Sequence, residues 1–487
     1  MGNKSIALNT IYNIILKVFQ LVVPILIGPY LARILDIHLY GVYNTALSQI
    51  DFFMIFAAFG IQVYGLREIS KVRDNKEKRD TLFTNLFVIS IITNILSIVA
   101  YLLFVTFFVN SDSIIVYYIL VIKIFANIFM VEWVNEATEN YGFITIKTII
   151  VRVIYVVGLF VFVRGADDII SYSLLVVLSS FVNNILSYIY IKREFKFEFA
   201  KLQLGRHIKP LLSVLVISNI NLFYTQLDKL LLGFTVDEVS VSFYYLPQNI
   251  MTIITTVLTA MVMVSISRLS YYNGNSMENE YNDLLFKMYR SYMLVVFPAC
   301  IGVACLSKEI MYLYGGVKYV GAYIILAIFA IRTIGNAIYT VYANQILYIK
   351  GKEKFLLKAL ALGAVLNVIF NMLLIKLGVF MPETAVLTTF IAEIIMITVI
   401  NIYIRKVVKI NIRLLNNYNI KYLISSLLFI PITIFVKSFK FSYILNVVII
   451  VPICAGVYFL ILYFSKDKML FELMKNIMNK LQGVKKG

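Results

Sequence analysis

Cysteine and histidine are nearly missing from this chain. Three cysteines (Cys300, Cys305, Cys454) and two histidines (His38, His207) among 487 residues exclude a disulfide framework and argue against a metal centre. Charge is also sparse, at 14% Asp, Glu, Lys and Arg against 61% hydrophobic residues. No GxxxxGK[ST] phosphate loop, HExxH or CxxC motif occurs, and no cofactor site is expected. Polar segments stay below about 25 residues, too short for a nucleotide-binding domain. Nothing here hydrolyses ATP, so any work must draw on an ion gradient, the membrane potential or a substrate gradient.

What is present is apolar sequence in runs of about 20 residues, enough to cross a bilayer as helix. The composition therefore predicts an all-α polytopic membrane protein. Fourteen spans are read at about 8–34, 40–66, 82–109, 114–136, 143–163, 169–191, 208–234, 239–267, 284–306, 319–347, 355–376, 384–404, 422–436 and 443–464. Span 13 is short and interrupted by Pro431. The first span follows Met1–Thr10 with no small-residue cleavage site and reads as an uncleaved anchor.

The net charge of +18 is a sorting signal rather than a nucleic-acid surface. With the N-terminus inside, 33 of the 44 Lys and Arg fall in cytoplasmic segments and six in outward loops, Lys147 and Arg152 being counted with the segment before span 5. That asymmetry places both termini in the cytoplasm.

A repeat organises the chain. Lys123, Asn127, Asn135 and Gly142 reappear 209 positions later as Arg332, Asn336, Asn344 and Gly351. The offset maps span 4 onto span 10, which implies two six-helix lobes, 1–200 and 201–410. An even helix number gives both the same orientation, with a pseudo-two-fold axis along the membrane normal. Residues 411–487 add two further helices and a basic tail.

A cation halfway along a span costs about 2.5–3.5 kcal/mol on insertion scales, so Lys123 and Arg332 are candidates for function. Span 1 adds the stripe Asn9, Asn13, Lys17 and Gln20, which must face protein or water. Span 7 holds Asn219, Asn221, Asp228 and Lys229. Asp51 and Glu393 at mid-depth are natural partners for the cations, and with Asp228 they are candidate ion-coupling groups. The balance leans positive and suits a phosphate or pyrophosphate. Lys17, Lys123 and Arg332 are the expected head-group contacts, with Lys229 and Arg33 nearer the outer mouth. Asn13, Gln20, Asn127, Asn221 and Asn336 are expected to line the cavity. Bundle-stabilising hydrogen bonds are the plainer reading of the asparagines. Pro24, Gly28, Pro29, Pro247, Pro298 and Gly302 are candidate hinges. Tyr339 and Tyr342 are candidates for stacking on sugars or for core packing.

Several runs resemble a known family. Pro29-Tyr30-Leu31-Ala32-Arg33-Ile34-Leu35, Tyr40-Gly41-Val42-Tyr43, Gly60, Tyr64-Gly65 and Arg67-Glu68 are similar to the opening of the Wzx-type polysaccharide repeat-unit flippases. The likeness continues through Asp228-Lys229-Leu230-Leu231-Leu232-Gly233, Asn344-Gln345-Ile346-Leu347 and Lys350-Gly351-Lys352. Asp36-Ile37, Ser240 and Ser242 depart from it where glycine is frequent. The resemblance implies the fold of the multidrug/oligosaccharidyl-lipid/polysaccharide exporter superfamily. It also implies movement of an undecaprenyl-pyrophosphate-linked oligosaccharide across the cytoplasmic membrane, in contact with membrane lipids and other polysaccharide assembly proteins. An ion-coupled drug or metabolite exporter of the same superfamily is the alternative. A glycan polymerase would need a large outward loop, and the longest here has about 12 residues.

Overall fold

The computed structural model describes residues 6–410, 416–472 and 474–475, with the side chains of residues 6–10, 13 and 216–225 outside the description. No strand occurs among the described residues. The packing forms two compact units, Met1–Tyr245 and Leu246–Gly487.

The first unit contains α1 (Ile6–Ile34), α2 (Ile37–Ala58), α3 (Ile61–Val72), α4 (Lys76–Phe108), α5 (Ile114–Asn127), α6 (Glu132–Ala137), α7 (Tyr141–Phe162), α8 (Ile169–Lys192) and α9 (Leu204–Thr235). The unit boundary falls inside α10 (Glu238–Gly274). The second unit continues with α11 (Glu278–Cys305), α12 (Ser307–Gly315), α13 (Tyr323–Val341), α14 (Glu353–Lys376), α15 (Pro382–Tyr403), α16 (Asn417–Leu427), α17 (Phe429–Ser438) and α18 (Tyr443–Phe464). Among the described residues, 13 segments are long and apolar enough to cross a membrane. The 32-residue α9 lies where span 7 was expected.

The sequence explains the inverted dress of these helices. On α4, Ile92, Leu96, Val99, Leu103 and Phe107 recur every three or four residues and are exposed, a face for lipid. The opposite face buries Thr84, Ser90, Asn94 and Ser97. Polar groups point inward because hydrocarbon cannot satisfy them. Asp36, one of the departures from the family pattern, caps α2 by accepting from the backbone N–H groups of His38 and Leu39 at 2.8 and 3.1 Å.

Helices break where side chains take up the freed backbone groups. α2 stops at Phe59 and Gly60, both left-handed at φ 46° and 73°, before α3 resumes the span. The Ala57 carbonyl there accepts from Thr93 Oγ1 at 2.9 Å and Asn94 Nδ2 at 3.1 Å. The span holding Lys123 is interrupted between α5 and α6, and Asn184 Nδ2 donates to the Ala126 carbonyl at 2.9 Å. By contrast, α1, α10 and α11 run on through Pro24, Pro29, Pro247 and Pro298. Span 13 divides into α16 and α17, and Pro431 near the start of α17 has no N–H to continue the ladder.

The 209-residue offset survives in the backbone. It carries 114–137, the run of α5 and α6, onto 323–346, where α13 and a π-helical turn occupy Tyr323–Leu347. The repeated glycines diverge. Gly351 is left-handed at φ 66°, whereas Gly142 packs beside the Tyr12 ring.

The additional helices α16 to α18 pack on α11 and α12. Beyond the end of α18, the Asp467 carboxylate accepts from Arg290 Nη2 at 2.8 Å, Lys421 Nζ at 3.2 Å and Tyr422 Oη at 3.1 Å. It also accepts from the backbone N–H groups of Met469 and Leu470 at 3.0 and 3.2 Å. Burial pushes the Asp467 pKa up, but the Leu470 N–H and the Arg290 and Lys421 cations outweigh it and hold the group below the ordinary aspartate value. A depressed carboxylate stabilises the fold above its unfolded pKa, and that contribution fades as pH falls through the lower folded value. Asp467→Asn is therefore expected to cost about 3–5 kcal/mol at neutral pH. In thermal unfolding of the purified protein, the gap between wild type and variant should hold down to about pH 5 and close below about pH 4.

Candidate functional site

Within the first unit, α1, α2, α5, α6, α7, α8 and the first turns of α10 line a half-open cavity of about 600 Å³. Its polar lining comes mainly from Gln20, Lys123, Asn127, Glu132, Glu136, Thr148, Arg152, Ser179, Ser180, Asn183 and Asn184. Tyr43, Tyr155, Tyr172 and Tyr245 complete the wall with aliphatic residues. The helical register puts these groups on one side. Ile144, Thr148, Val151, Arg152 and Tyr155 line the cavity at spacings of three and four along α7, while Ile146, Ile150, Val153, Ile154 and Val157 are exposed on its other faces.

Two ion pairs meet at this cavity. Lys123 Nζ donates to Asp51 Oδ1 at 2.5 Å, linking α5 to α2. Lys147 Nζ, buried on α7, donates to both Glu132 oxygens at 3.1 Å, to the Asn183 carbonyl at 3.1 Å and to Ser187 Oγ at 2.5 Å. Ser187 in turn donates to Glu132 Oε2 at 2.5 Å. Asn94 joins the two helix breaks, donating to Ala57 while its Oδ1 accepts from Asn127 Nδ2 at 3.0 Å. Arg152 and Glu136 also line the cavity, and among the described residues neither has an ion-pair partner.

In the second unit, Arg332 makes a bidentate pair with Glu393, Nε to Oε2 at 2.7 Å and Nη2 to Oε1 at 2.6 Å. The repeat therefore preserves the cation but not its partner. Lys123 on α5 pairs with α2, whereas Arg332 on α13 pairs with α15. The position 209 residues before Glu393 is Asn184, which lines the first unit's cavity.

The remaining expected residues are dispersed. Gln20 lines the cavity. Lys17 and Arg33 are exposed on α1 and are not among the lining residues. Lys229 is buried, its ammonium 5.6 Å from the centre of the Tyr245 ring. Asp228 accepts from Tyr244 Oη at 2.6 Å. Asn336 receives a bond on its carbonyl from Thr340 Oγ1 at 2.8 Å. The side chains of Asn13 and Asn221 lie outside the described residues. Tyr342 is packed in the core and donates to Asn401 Oδ1 at 3.0 Å.

One assignment is corrected. Lys147 and Arg152, counted with a cytoplasmic loop, stand on α7 inside a spanning helix. The span predicted at 143–163 already contained both. Their spacing from Ile144, Thr148, Val151 and Tyr155 would have exposed the polar face.

The family model described as polysaccharide biosynthesis protein matches residues 6–272. A protein named as a putative O-antigen transporter of Escherichia coli (strain K12) is 25% identical over 171 residues, covering 34% of this chain and 40% of that protein's length. Among solved structures, the lipid II flippase MurJ in an inward closed conformation matches with a TM-score of 0.70 and 15% identity, over 94% of this chain and 99% of its own. An inward-facing multidrug resistance transporter of the MATE family in the MOP superfamily matches with a TM-score of 0.59 and 14% identity, over 80% of this chain and all of its own.

Proposed function

The chain belongs to the polysaccharide biosynthesis protein family, and on that premise we propose that it is a flippase rather than an enzyme. Its substrate in this reading is an undecaprenyl-pyrophosphate-linked oligosaccharide repeat unit, moved across the bacterial cytoplasmic membrane for surface polysaccharide assembly. The observation that carries this is a polar cavity, lined by two cations, two carboxylates, amides and hydroxyls, within helices whose outer faces are apolar. Both termini lie in the cytoplasm, and the lobes 1–200 and 201–410 alternate access.

Lys17, Lys123 and Arg332 serve the pyrophosphate, with Lys229 and Arg33 nearer the outer mouth. Lys123 and Arg332 rest against carboxylates, so an incoming phosphate must displace them. A proton taken up by Asp51 or Glu393 would neutralise the carboxylate and free the cation. This joins the binding residues and the candidate coupling residues into one exchange. The match to the lipid II flippase fold over 94% of the chain, against 80% for the multidrug transporter, favours this reading over a drug exporter.

A strain lacking the gene should lose its surface polysaccharide and accumulate lipid-linked repeat units facing the cytoplasm. The intact gene should restore export. Unchanged polysaccharide in the deletion strain rejects the proposal.

A further inference from the structure

α11 runs through Pro298 without a break. Proline has no N–H, so the carbonyl of Leu294, one turn earlier, loses its partner in the helix. Hydrocarbon offers no replacement, and a helix in this position ordinarily kinks. Here Tyr458 Oη of α18 donates to the Leu294 carbonyl at 2.8 Å, and both residues are buried. Phe429 of α17 stands edge-on to the Tyr458 ring, 6.1 Å between centres, and packs it against the bond it makes.

The additional helices also grip α11 on both sides of the proline. About two turns before it, Arg290 donates to Asp467 from Nη2 at 2.8 Å and to Tyr422 Oη of α16 from Nε at 2.9 Å. About two turns after it, the Cys305 carbonyl at the end of α11 accepts from Lys437 Nζ of α17 at 2.9 Å. Lys437 pairs in addition with the buried Glu309 of α12 at 2.8 Å, and Asn446 of α18 donates to the other Glu309 oxygen at 3.2 Å. Between the proline and Cys305, Gly302 has nothing within 4 Å of the place a Cβ would take, which leaves the outer half of α11 room to swing. The 209-residue offset carries Pro298 onto Ile89 of α4, a helix with no proline. The proline therefore stands in the unit that also carries the additional helices.

We propose that α16 to α18 are a splint on a proline hinge in α11. Tyr458 supplies the hydrogen bond that Pro298 removes, and the fastenings at Arg290 and Cys305 hold the two halves of the helix in line. With the Tyr458 bond made, α11 moves as one rigid rod. With it broken, α11 bends at Pro298. Tyr458 is thus a positioning residue that acts through the backbone of another helix. The splint concerns the stiffness of α11 and not its cargo, so it stands or falls independently of the flippase reading.

Hydrogen exchange of peptides covering 290–305 tests this on the full chain in nanodiscs, in wild type, Tyr458→Phe, Pro298→Ala and the double variant. Tyr458→Phe keeps the ring and its packing and removes the hydroxyl alone. It should speed exchange of the amides flanking Pro298 about tenfold, because a buried carbonyl is left without a donor. Pro298→Ala restores an N–H to Leu294, so adding Tyr458→Phe to it should change exchange by less than about twofold. Thermal midpoints should follow the same pattern, lowered about 2–4 °C by Tyr458→Phe in wild type and hardly at all beside Pro298→Ala. A residue that only packs would shift both backgrounds equally. The proposal is overturned by unchanged exchange in Tyr458→Phe, or by the same acceleration with and without Pro298.

Discussion

Neutralising both central ion pairs, Lys123→Gln with Asp51→Asn and Arg332→Gln with Glu393→Gln, abolishes glycan export and leaves the protein in the membrane near wild-type abundance. The pairing dictates this design. Removing Lys123 or Arg332 alone leaves a carboxylate without its cation, and Glu393 is only 5% exposed. A stranded buried charge costs about 3–5 kcal/mol, so lost export would be confounded with lost folding. Amides in both positions keep the hydrogen bonds and remove the charges. Export is read as surface polysaccharide, and folding as monodisperse protein after extraction. The acid-only variants, Asp51→Asn and Glu393→Gln, leave Lys123 and Arg332 without their partners, so they decide between mechanisms only with transport normalised to folded protein. In the flippase they free the cations and leave substrate binding intact. In an ion-coupled drug exporter they would be the more damaging changes, and sensitivity to cationic dyes would appear.

Glu132→Ala has the largest expected effect on the fold itself. Lys147 is 5% exposed, and its ammonium depends on Glu132, Ser187 and the Asn183 carbonyl. Deleting the carboxylate strands the ammonium and opens the junction of α6, α7 and α8. The expected cost is about 3–5 kcal/mol, a large share of the roughly 5–15 kcal/mol that holds a domain together. Thermal unfolding followed by Trp133 emission should show a strongly lowered midpoint. Glu132→Gln should lie between, since it keeps hydrogen bonds but loses charge. The apolar exchange Glu132→Leu with Lys147→Met should recover much of the loss, because it removes both desolvated charges together. Recovery without export would separate folding from transport.

Much of this architecture was legible in the residues. Apolar runs and loop cations gave the membrane class, and the matched Lys123 and Arg332 gave the repeat that the backbone retains from 114–137 to 323–346. Asp51 and Glu393 were recognisable as partners because acids are rare at mid-depth. The helix breaks at 59–60 and 128–131 were not legible, since no proline marks them. They are held by Thr93, Asn94 and Asn184, side chains distant in sequence. Prolines misdirect the search for breaks in α1, which continues past Pro24 and Pro29. Arg152 was hidden by a boundary. It was counted with the segment before span 5, although the span read at 143–163, like the helix that begins at Tyr141, places it roughly midway. The tyrosine wall comes from α2, α7, α8 and α10, and no local pattern joins them.

The most direct test places a fluorescently labelled undecaprenyl-pyrophosphate-linked repeat unit in liposomes and adds a membrane-impermeant quencher. In vesicles without protein only the outer leaflet is quenched, leaving about half the signal. The purified chain is expected to carry quenching to near completion by bringing inner-leaflet head groups out, and the pair-neutral variant should match empty vesicles. A wild-type protein that is folded and reconstituted, yet leaves the signal at the protein-free plateau, would contradict the account.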